Sequence, residues 1–436
     1  MGFPFVEIAK SILANAPSVI FDPGAGLRFI FYWSMVVFVY TQYARTARLQ
    51  AQLYGRPRRS PLSLTVLAAV EGIVVGLVGS YVMSFVGVAF PPDGGGLIWV
   101  LGTALVLMLI NARLMCFSYA GMLVSLSYLI FGRPQVSVAS LMGLVAVLHL
   151  MESLLILLNG AAAATPVYLE QRGRQVGAFY LQRSWPVPVA LLILAILPPA
   201  QVPAGIAMPD WWPLLKTSPE LLSNPGAIFF LYALPAALGY GDLAVTCPPR
   251  LKTRRTASNL ALYSIVLLVL SVLATYHRAF VWAAALFAGL GHETVVRLGS
   301  GRERSGRPYF VPPAEGTMVL DVVPDSPAGR LGLGPGWVIT EVNGEPTNGR
   351  DRFEEELRFA ERLGRLRFEA RPPVFGRRGR PPEVRRFSVD FGPGAVLGVI
   401  PVPETGDDMG LTMTVASPGL TVIRKISKGL GRLGRK

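Results

Sequence analysis

Charged residues are scarce in this sequence. They make up 16% of its 436 residues, whereas a soluble globular domain carries about 25%. Hydrophobic residues account for 52% of the chain, and the mean hydropathy is +0.46. This balance excludes an ordinary soluble protein and predicts a multi-pass membrane protein with a soluble appendix. The net charge of +14 does not predict a nucleic-acid partner, because the basic residues lie in loops between apolar runs, as in membrane topology signals.

Cysteine is also scarce, and the N-terminal residues do not show the pattern of a cleaved signal peptide. The two cysteines, Cys116 and Cys247, lie far apart and in no motif, which excludes a disulfide framework and is compatible with a reducing cytosolic side. The N-terminal residues carry a single lysine, Lys10, and no compact apolar core before a small-residue cleavage site. We therefore expect no cleaved signal peptide.

The usual enzyme motifs are missing as well. An intramembrane zinc protease needs two histidines one helical turn apart with a glutamate between them. The only His-Glu dipeptide is His292-Glu293, and Val296 occupies the partner position. The sequence also contains neither a GxSxG elbow nor a GxxxxGK[ST] phosphate loop. We expect a non-enzyme with no catalytic residues, no metal site and no cofactor.

Long apolar runs fill residues 27–296 and predict a transmembrane domain of about eight or nine spans. Residues 1–26 are predicted to form an interfacial helix, because Phe5, Ile8, Ile12 and Leu13 share one helical face. The predicted spans are Leu27–Ala44, Leu62–Phe90, Leu97–Asn111, Cys116–Phe131, Ser137–Leu158, Val187–Ile206, Ala227–Leu243, Leu260–Thr275 and Phe280–Leu290. The short ones can tilt or re-enter.

Basic residues cluster in four segments, which the positive-inside rule places in the cytoplasm. An even number of predicted spans separates each pair, so the assignment is consistent. The segments are 45–59, 170–183, 250–255 and 297–307. Residues 91–96 and 207–225 then lie outside, with Trp211 and Trp212 at headgroup level. The N-terminus lies outside if Leu27–Ala44 spans the membrane and inside if this run re-enters.

Four polar residues interrupt the apolar region: Glu71, Arg113, His149 and Glu152. Such residues are costly in a membrane and are often functional. His149 and Glu152 share a helical face, so one interpretation is a proton or metal relay. The other is an interhelical polar clamp in which Glu71 pairs with Arg113 or His149. A His–Glu pair without a third ligand does not by itself predict a metal site.

The stretch Gly316–Gly344 predicts the soluble domain, residues 308–392. Two β-rich runs flank a turn cluster, and Asn343-Gly344 favours a hairpin turn. The pattern resembles a bacterial-type PDZ domain, although Trp337 replaces the usual acidic residue. The predicted fold class is therefore an α-helical polytopic membrane domain followed by a small mixed α/β PDZ-like domain, which the charge pattern places in the cytosol.

The resemblance to PDZ domains implies a groove for an extended peptide added as a strand. Gly316, Thr317, Met318 and Val319 would receive a terminal carboxylate, and Phe353 and Leu357 would wall the side-chain pocket on a helix from Asp351 to about Leu363. The alternative is that Phe353 and Leu357 are simply core residues.

The tail, residues 393–436, becomes basic towards its end. Apolar residues recur there at helical spacing, between arginines and lysines: Val422, Ile423, Ile426, Leu430 and Leu433. The pattern predicts a basic amphipathic helix that binds anionic lipid. The alternative is a disordered, solubilising tail.

Several stretches together resemble the MinJ family of polytopic division-site proteins of Gram-positive bacteria: 110–121 (INARLMCFSYAG), 145–156 (VAVLHLMESLLI), 173–187 (GRQVGAFYLQRSWPV), 239–246 (GYGDLAVT) and 291–310 (GHETVVRLGSGRERSGRPYF). The resemblance implies a septal or polar membrane scaffold that bridges a DivIVA-like polar protein and a MinD-like division inhibitor. Two other hypotheses stay open: an ion-coupled transporter with a regulatory PDZ domain, and an accessory of an intramembrane protease.

Overall fold

The computed structural model describes residues 2–55, 57–202, 205–216, 224–373 and 383–404, together with the strands 412–416 and 420–423. An apolar helical region is followed by a mixed α/β unit, as the sequence predicts. The helices are α1 (Phe5–Asn15), α2 (Ser18–Phe21), α3 (Leu27–Tyr54), α4 (Pro61–Val86), α5 (Leu97–Ile110), α6 (Phe117–Phe131), α7 (Val138–Asn159), α8 (Pro249–Leu273), α9 (Arg278–Ser305), α10 (Pro327–Arg330) and α11 (Arg350–Leu363).

The strands form two sheets. They are β1 (Ala89–Phe90), β2 (Thr165–Gln171), β3 (Arg174–Ile196), β4 (Ala227–Ala244), β5 (Thr317–Val322), β6 (Val338–Val342), β7 (Glu345–Pro346), β8 (Arg365–Arg371), β9 (Arg385–Asp390), β10 (Val399–Pro401), β11 (Thr412–Ala416) and β12 (Leu420–Ile423). The first sheet has the order β1-β3-β2-β11-β12 with β4 on β3, and the second has the order β10-β5-β6-β8-β9 with β7 on β6.

Four described helices, α4, α7, α8 and α9, are long and apolar enough to cross a membrane. Their starts follow from local sequence: Ser60 accepts a hydrogen bond from the Ser63 N–H at the start of α4, and Ser137 caps α7 in the same way through Ser140. Helices α5 and α6 have 14 and 15 residues, too short for about 30 Å of hydrocarbon. They form a helical hairpin, so the re-entrant interpretation of these two short runs fits the structure.

Two predicted membrane helices are wrong. Val187–Ile206 and Ala227–Leu243 fall largely in β3 and β4, which pair in antiparallel register from Phe179↔Ala244 to Ile196↔Ala227. Hydropathy alone cannot distinguish a buried strand from a helix. The prolines are the missed signal, because Pro188 and Pro235 would each remove a helical hydrogen bond. The hairpin returns to the side from which it started, so the even count of predicted crossings is unchanged.

Helix α4 packs along the middle of β3, on the edge where no other strand pairs with it. An ideal Cβ on Gly72 would lie 2.2 Å from the Pro186 carbonyl oxygen, and one on Gly76 would lie 2.1 Å from that of Pro188. These carbonyls therefore face α4, and both prolines lack an N–H on a side where no strand pairs. Further along, the Ala190 N–H donates to Ser80 Oγ at 2.8 Å. Ser80 of the helix thus supplies a hydrogen-bond partner that lipid could not.

The second sheet and α11 enclose a separate core that contains Ile339, Phe353, Leu366 and Phe368. Trp337, the departure from the PDZ pattern, is 9% exposed and packs in this core. Strand β10 lies beyond the predicted boundary at residue 392, so the domain sheet includes part of the predicted tail. An apolar side chain at position 337 therefore has a packing role.

The predicted tail helix is wrong at its first two positions. Val422 and Ile423 lie in β12, which pairs with β11, and β11 pairs in parallel with β2. The β-branched residues in 421–423 favour a strand. The other predicted positions, Ile426, Leu430 and Leu433, lie outside the described residues.

Candidate functional site

The tip of the α5–α6 hairpin reaches the middle of α7. Cys116 is the residue before α6, and its Sγ accepts a hydrogen bond from the Ser118 N–H at 3.4 Å. His149 follows the start of α7 by eleven residues, about 17 Å along the helix axis at 1.5 Å per residue. His292 approaches from α9. Sequence spacing alone could not link three residues on three separate helices.

Sulfur and nitrogen atoms converge at this point, which we call the Cys-His cluster (Cys116, His149 and His292). Cys116 Sγ lies 3.2 Å from His149 Nε2 and 3.8 Å from His292 Nε2. All three ligand atoms lie within 4.8 Å of one another. The cluster is a set of donors of the kind that holds a transition metal.

A shell of hydroxyl and carboxylate groups surrounds the Cys-His cluster. Ser118 Oγ lies 3.2 Å from His149 Nε2 and 2.9 Å from the Tyr263 hydroxyl. Tyr263 donates to the Ala288 carbonyl oxygen at 2.7 Å. Beside His292, the Glu293 carboxylate accepts hydrogen bonds from Arg113, from Tyr119 at 2.7 Å and from Arg297 at 2.5 Å. The predicted residue Arg113 therefore pairs with Glu293.

Glu152, predicted to act with His149, lies one turn further along α7 and is partly buried. None of the hydrogen bonds or ion pairs between described residues includes it. The side-chain atoms within hydrogen-bond distance of His149 belong to Cys116 and Ser118 instead.

Glu71 lies in a different cluster from the one that the sequence suggested. Its carboxylate accepts hydrogen bonds from Arg183 at 2.7 Å, from Trp185 Nε1 at 2.7 Å and from Asn159. The predicted partners, Arg113 and His149, are wrong. Arg183 is only 1% exposed, and it reaches Glu71 because β3 packs on α4, an arrangement that a helical assignment of residues 187–206 could not give. The clamp interpretation of Glu71 fits this geometry.

A buried ion cluster near the start of α8 was not predicted. Lys252 is 3% exposed, and its Nζ lies 2.9 Å from Asp242 Oδ2 and 3.5 Å from Glu303 Oε1. Glu303 also accepts hydrogen bonds from the N–H groups of Val245 and Thr246. The sequence marks Lys252 only as a topology signal, but here it joins β4, α8 and α9.

The structure does not support the predicted carboxylate loop. The Gly316 N–H donates to Asn348 Oδ1 at 3.0 Å, and the Val319 N–H donates to the Trp337 carbonyl oxygen at 2.7 Å. Strand β5, which contains Thr317, Met318 and Val319, is flanked by β10 and β6, so its backbone groups already have partners. Phe353 is 2% exposed and Leu357 packs against the same core, which favours the core interpretation of both.

An outer edge of the domain sheet lies at β10 instead. The Gly398 carbonyl oxygen accepts from the Val323 N–H, and the Val402 N–H donates to the Met318 carbonyl oxygen. Because alternate residues of an antiparallel strand face the same neighbour, Val399 and Pro401 direct their backbone groups away from β5. The Tyr168 hydroxyl donates to the Pro401 carbonyl oxygen at 3.3 Å. Beyond β10, Glu404 accepts from the Arg350 N–H at the start of α11.

The domain is joined to the helical region by specific contacts. Gly177 of β3 forms a β-bridge with Phe310, and the Tyr309 N–H donates to the Val245 carbonyl oxygen at 2.9 Å. Burial raises the pKa of the Tyr309 hydroxyl to about 12. Phe310, Leu320 and Val402 belong to the same core cluster as residues of α4 and α7. One face of the domain therefore packs against the core of the helical region, while the domain keeps a separate core of its own.

Arg58 adds an ion pair across this junction. Its guanidinium lies 2.7 Å from Asp321 Oδ1, and the Asp321 side chain is fully buried. We predict that Arg58→Ala lowers the free energy of unfolding of the attached domain by about 1–3 kcal/mol, since a charged hydrogen bond to a buried group is lost. The measurement is the temperature at which protease cleaves residues 308–404. Arg59→Ala, at an exposed neighbouring position, is the control, and equal effects of the two substitutions would contradict the prediction.

Comparison with known proteins gives one distant similarity. Over 212 residues, 47% of this chain, the sequence is 26% identical to the cell division topological determinant MinJ of Bacillus subtilis (strain 168). The matched part spans about half of that relative, 50% of its length. No model of a protein family and no solved structure matches the chain. The chain is therefore distantly similar to part of a cell division topological determinant.

Proposed function

We propose that this chain is a non-enzymatic membrane scaffold of bacterial cell division that recruits cytosolic partners to the division site. The observation that carries the proposal is the similarity to a cell division topological determinant, in a chain with four helices long and apolar enough to span a membrane. By resemblance to the MinJ family, the partners are a DivIVA-type polar scaffold and a MinD-type inhibitor.

The junction between the two units supports a scaffold. A domain that packs Phe310, Leu320 and Val402 into the core of the helical region has a fixed position relative to the membrane. A protein bound to such a domain is held at a defined distance from the bilayer. Binding then does not have to restrict the motion of a flexible linker between the domain and the membrane region. The contacts of Glu71 with Arg183 and Trp185 favour a structural role for this residue over a place on a transport path.

We further propose that the domain is PDZ-like and binds an extended peptide along β10, beside α11. Strand addition needs a sheet edge whose backbone groups point outward. Val399 meets this requirement, and Phe353 and Leu357 of α11 pack in the same core as Val399. The peptide would therefore lie along the strand that carries Val399 rather than along Thr317–Val322.

The test replaces Val399 by proline. Proline removes the outward N–H but leaves the hydrogen bonds of Gly398 and Val402 to β5. We expect recruitment of a MinD-type or DivIVA-type protein to vesicles that contain Val399→Pro to fall at least about tenfold, because a strand-adding peptide loses a backbone hydrogen bond and meets the ring. The measurement is cosedimentation of each purified partner with the vesicles.

Val396→Pro is the matched control, since Val396 is 72% exposed and precedes β10. Both variants are compared by thermal unfolding. Binding at β10 would be refuted if the Val399→Pro variant is folded and recruits each partner as well as the Val396→Pro variant does. Failure of the unsubstituted chain to recruit either partner would refute the proposed function itself. Deletion of residues 308–436 is a poorer test, because it would expose the core that contains Phe310 and Val402.

A further inference from the structure

The Cys-His cluster has the geometry of a metal site. In a tetrahedral zinc site, Zn–S is about 2.3 Å and Zn–N is about 2.0–2.1 Å. These bond lengths place a sulfur and a nitrogen ligand about 3.6 Å apart. The two sulfur–nitrogen distances in the cluster are 3.2 and 3.8 Å, one on either side of that value.

We propose that Cys116, His149 and His292 bind one Zn²⁺ ion within the helical bundle. The ion would join α6, α7 and α9. Binding would release the thiol proton to solvent, because the thiolate is the form of cysteine that coordinates a metal. Nothing in the proposed scaffold function requires this site.

The hydrogen bonds around His149 fix the orientation and the tautomer of its ring. Nδ1 lies 2.8 Å from the Val145 carbonyl oxygen, which can only accept, so Nδ1 carries the proton. Tyr263 donates to Ala288, so the Ser118 hydroxyl donates its proton to the Tyr263 oxygen. This leaves the Cys116 thiol, whose Sγ lies 3.2 Å away, as the hydrogen-bond donor to Nε2. A histidine held through Nδ1–H to a carbonyl is the usual arrangement of a metal ligand.

His292 presents one ring nitrogen to the cluster. Its Nδ1 is buried and has no hydrogen-bond partner among the described residues. An ion in the cluster would bind the other ring nitrogen, Nε2, which lies 3.8 Å from Cys116 Sγ.

The choice of metal follows from the ligands. One thiolate and two imidazoles suit Zn²⁺, whereas Mg²⁺ and Ca²⁺ prefer oxygen. A site with these three ligands would carry a net charge of +1, and the neighbouring Glu293 carboxylate already pairs with Arg113 and Arg297.

The experiment uses the full chain in lipid nanodiscs, stripped with a chelator and dialysed against Zn²⁺ or Mg²⁺. We expect about one zinc per chain by elemental analysis, no retained magnesium, and a thiolate-to-metal absorption band with Co²⁺. Cys116→Ser should abolish the band, and His149→Gln and His292→Gln should each weaken Zn²⁺ binding at least about 100-fold, beyond the effect of losing a residue that only supports a ligand.

The chain offers a matched control for each ligand type. Cys247→Ser and His277→Gln remove the other cysteine and the third histidine, and neither should change zinc binding. For variants that fail to fold, the unsubstituted chain gives the answer, because zinc should slow alkylation of Cys116 at least about tenfold. Any of three results would overturn the proposal: the folded chain binds less than one zinc ion, zinc leaves the alkylation rate of Cys116 unchanged, or the control substitutions weaken zinc binding equally. The cluster would then be only a polar contact between helices.

Discussion

Alanine at position 76 is expected to separate α4 from the β3–β4 hairpin. An ideal Cβ at Gly76 would lie 2.1 Å from the Pro188 carbonyl oxygen and 3.0 Å from a Val187 methyl group. Backbone cannot yield as a flexible side chain can, so the helix has to move and the close approach is lost. We expect Gly76→Ala to lower the free energy of unfolding by about 3 kcal/mol or more. Gly72→Ala, one turn earlier on the same face, should add to the loss.

The measurement is thermal unfolding in detergent. The fraction of the chain that remains monodisperse is recorded as the temperature rises. Gly102→Ala is the matched control, because this glycine also lies in an apolar helix but an added Cβ there would have no neighbour within 4 Å. It should be neutral or stabilising by up to about 1 kcal/mol. If Gly76→Ala unfolds at the same temperature as Gly102→Ala, the packing of α4 on β3 is wrong.

The sequence predicts much of the helical region because long apolar runs leave few alternatives. The short runs Leu97–Asn111 and Cys116–Phe131 already suggest segments that tilt or re-enter. The glycines at 72 and 76 are also visible as a small-residue face. What this face contacts is not visible, because apolar runs with prolines were interpreted as helices.

The candidate sites could be predicted only in part, because contacts between distant segments are not encoded in spacing. His149 was identified as an unusual residue in an apolar run, but Cys116 and His292 join it only through the tertiary arrangement. Similarly, Arg58 lies in a basic segment that the positive-inside rule places in the cytoplasm, and its partner Asp321 lies on a strand far along the chain. Each is a local anomaly whose explanation lies on another element.

The peptide-binding groove illustrates a different limit. The motif around Gly316–Gly344 identifies the strand and the turns, but sheet order determines which strand lies at an edge. Val399–Pro401 pairs with β5 from beyond the predicted domain boundary, so it covers the edge that the motif had suggested. A local pattern can predict a strand well and still give its neighbours incorrectly.

Removal of the Glu71 carboxylate should be the most damaging change among the polar groups. Arg183 is 1% exposed, and two of its nitrogens, Nε and Nη1, are buried without a hydrogen-bond partner among the described residues. Glu71→Ala would leave this guanidinium without its counterion. The cost of such a broken buried pair is about 3–5 kcal/mol. Trp185 and Asn159 would also lose their acceptor, so the expected result is a large drop in melting temperature and in yield.

The double variant Glu71→Leu/Arg183→Met separates lost charge pairing from lost packing. Replacing both members of a buried ion pair by apolar side chains is often neutral or stabilising, so the double variant should recover most of the stability that Glu71→Ala loses. A coupling energy of several kcal/mol between the two positions would be the signature. If the double variant is as unstable as the single one, the main role of Glu71 is to accept hydrogen bonds from Trp185 and Asn159. If Glu71→Ala alone is within about 1 kcal/mol of the unsubstituted chain, Arg183 finds another counterion and the pair does not hold β3 on α4.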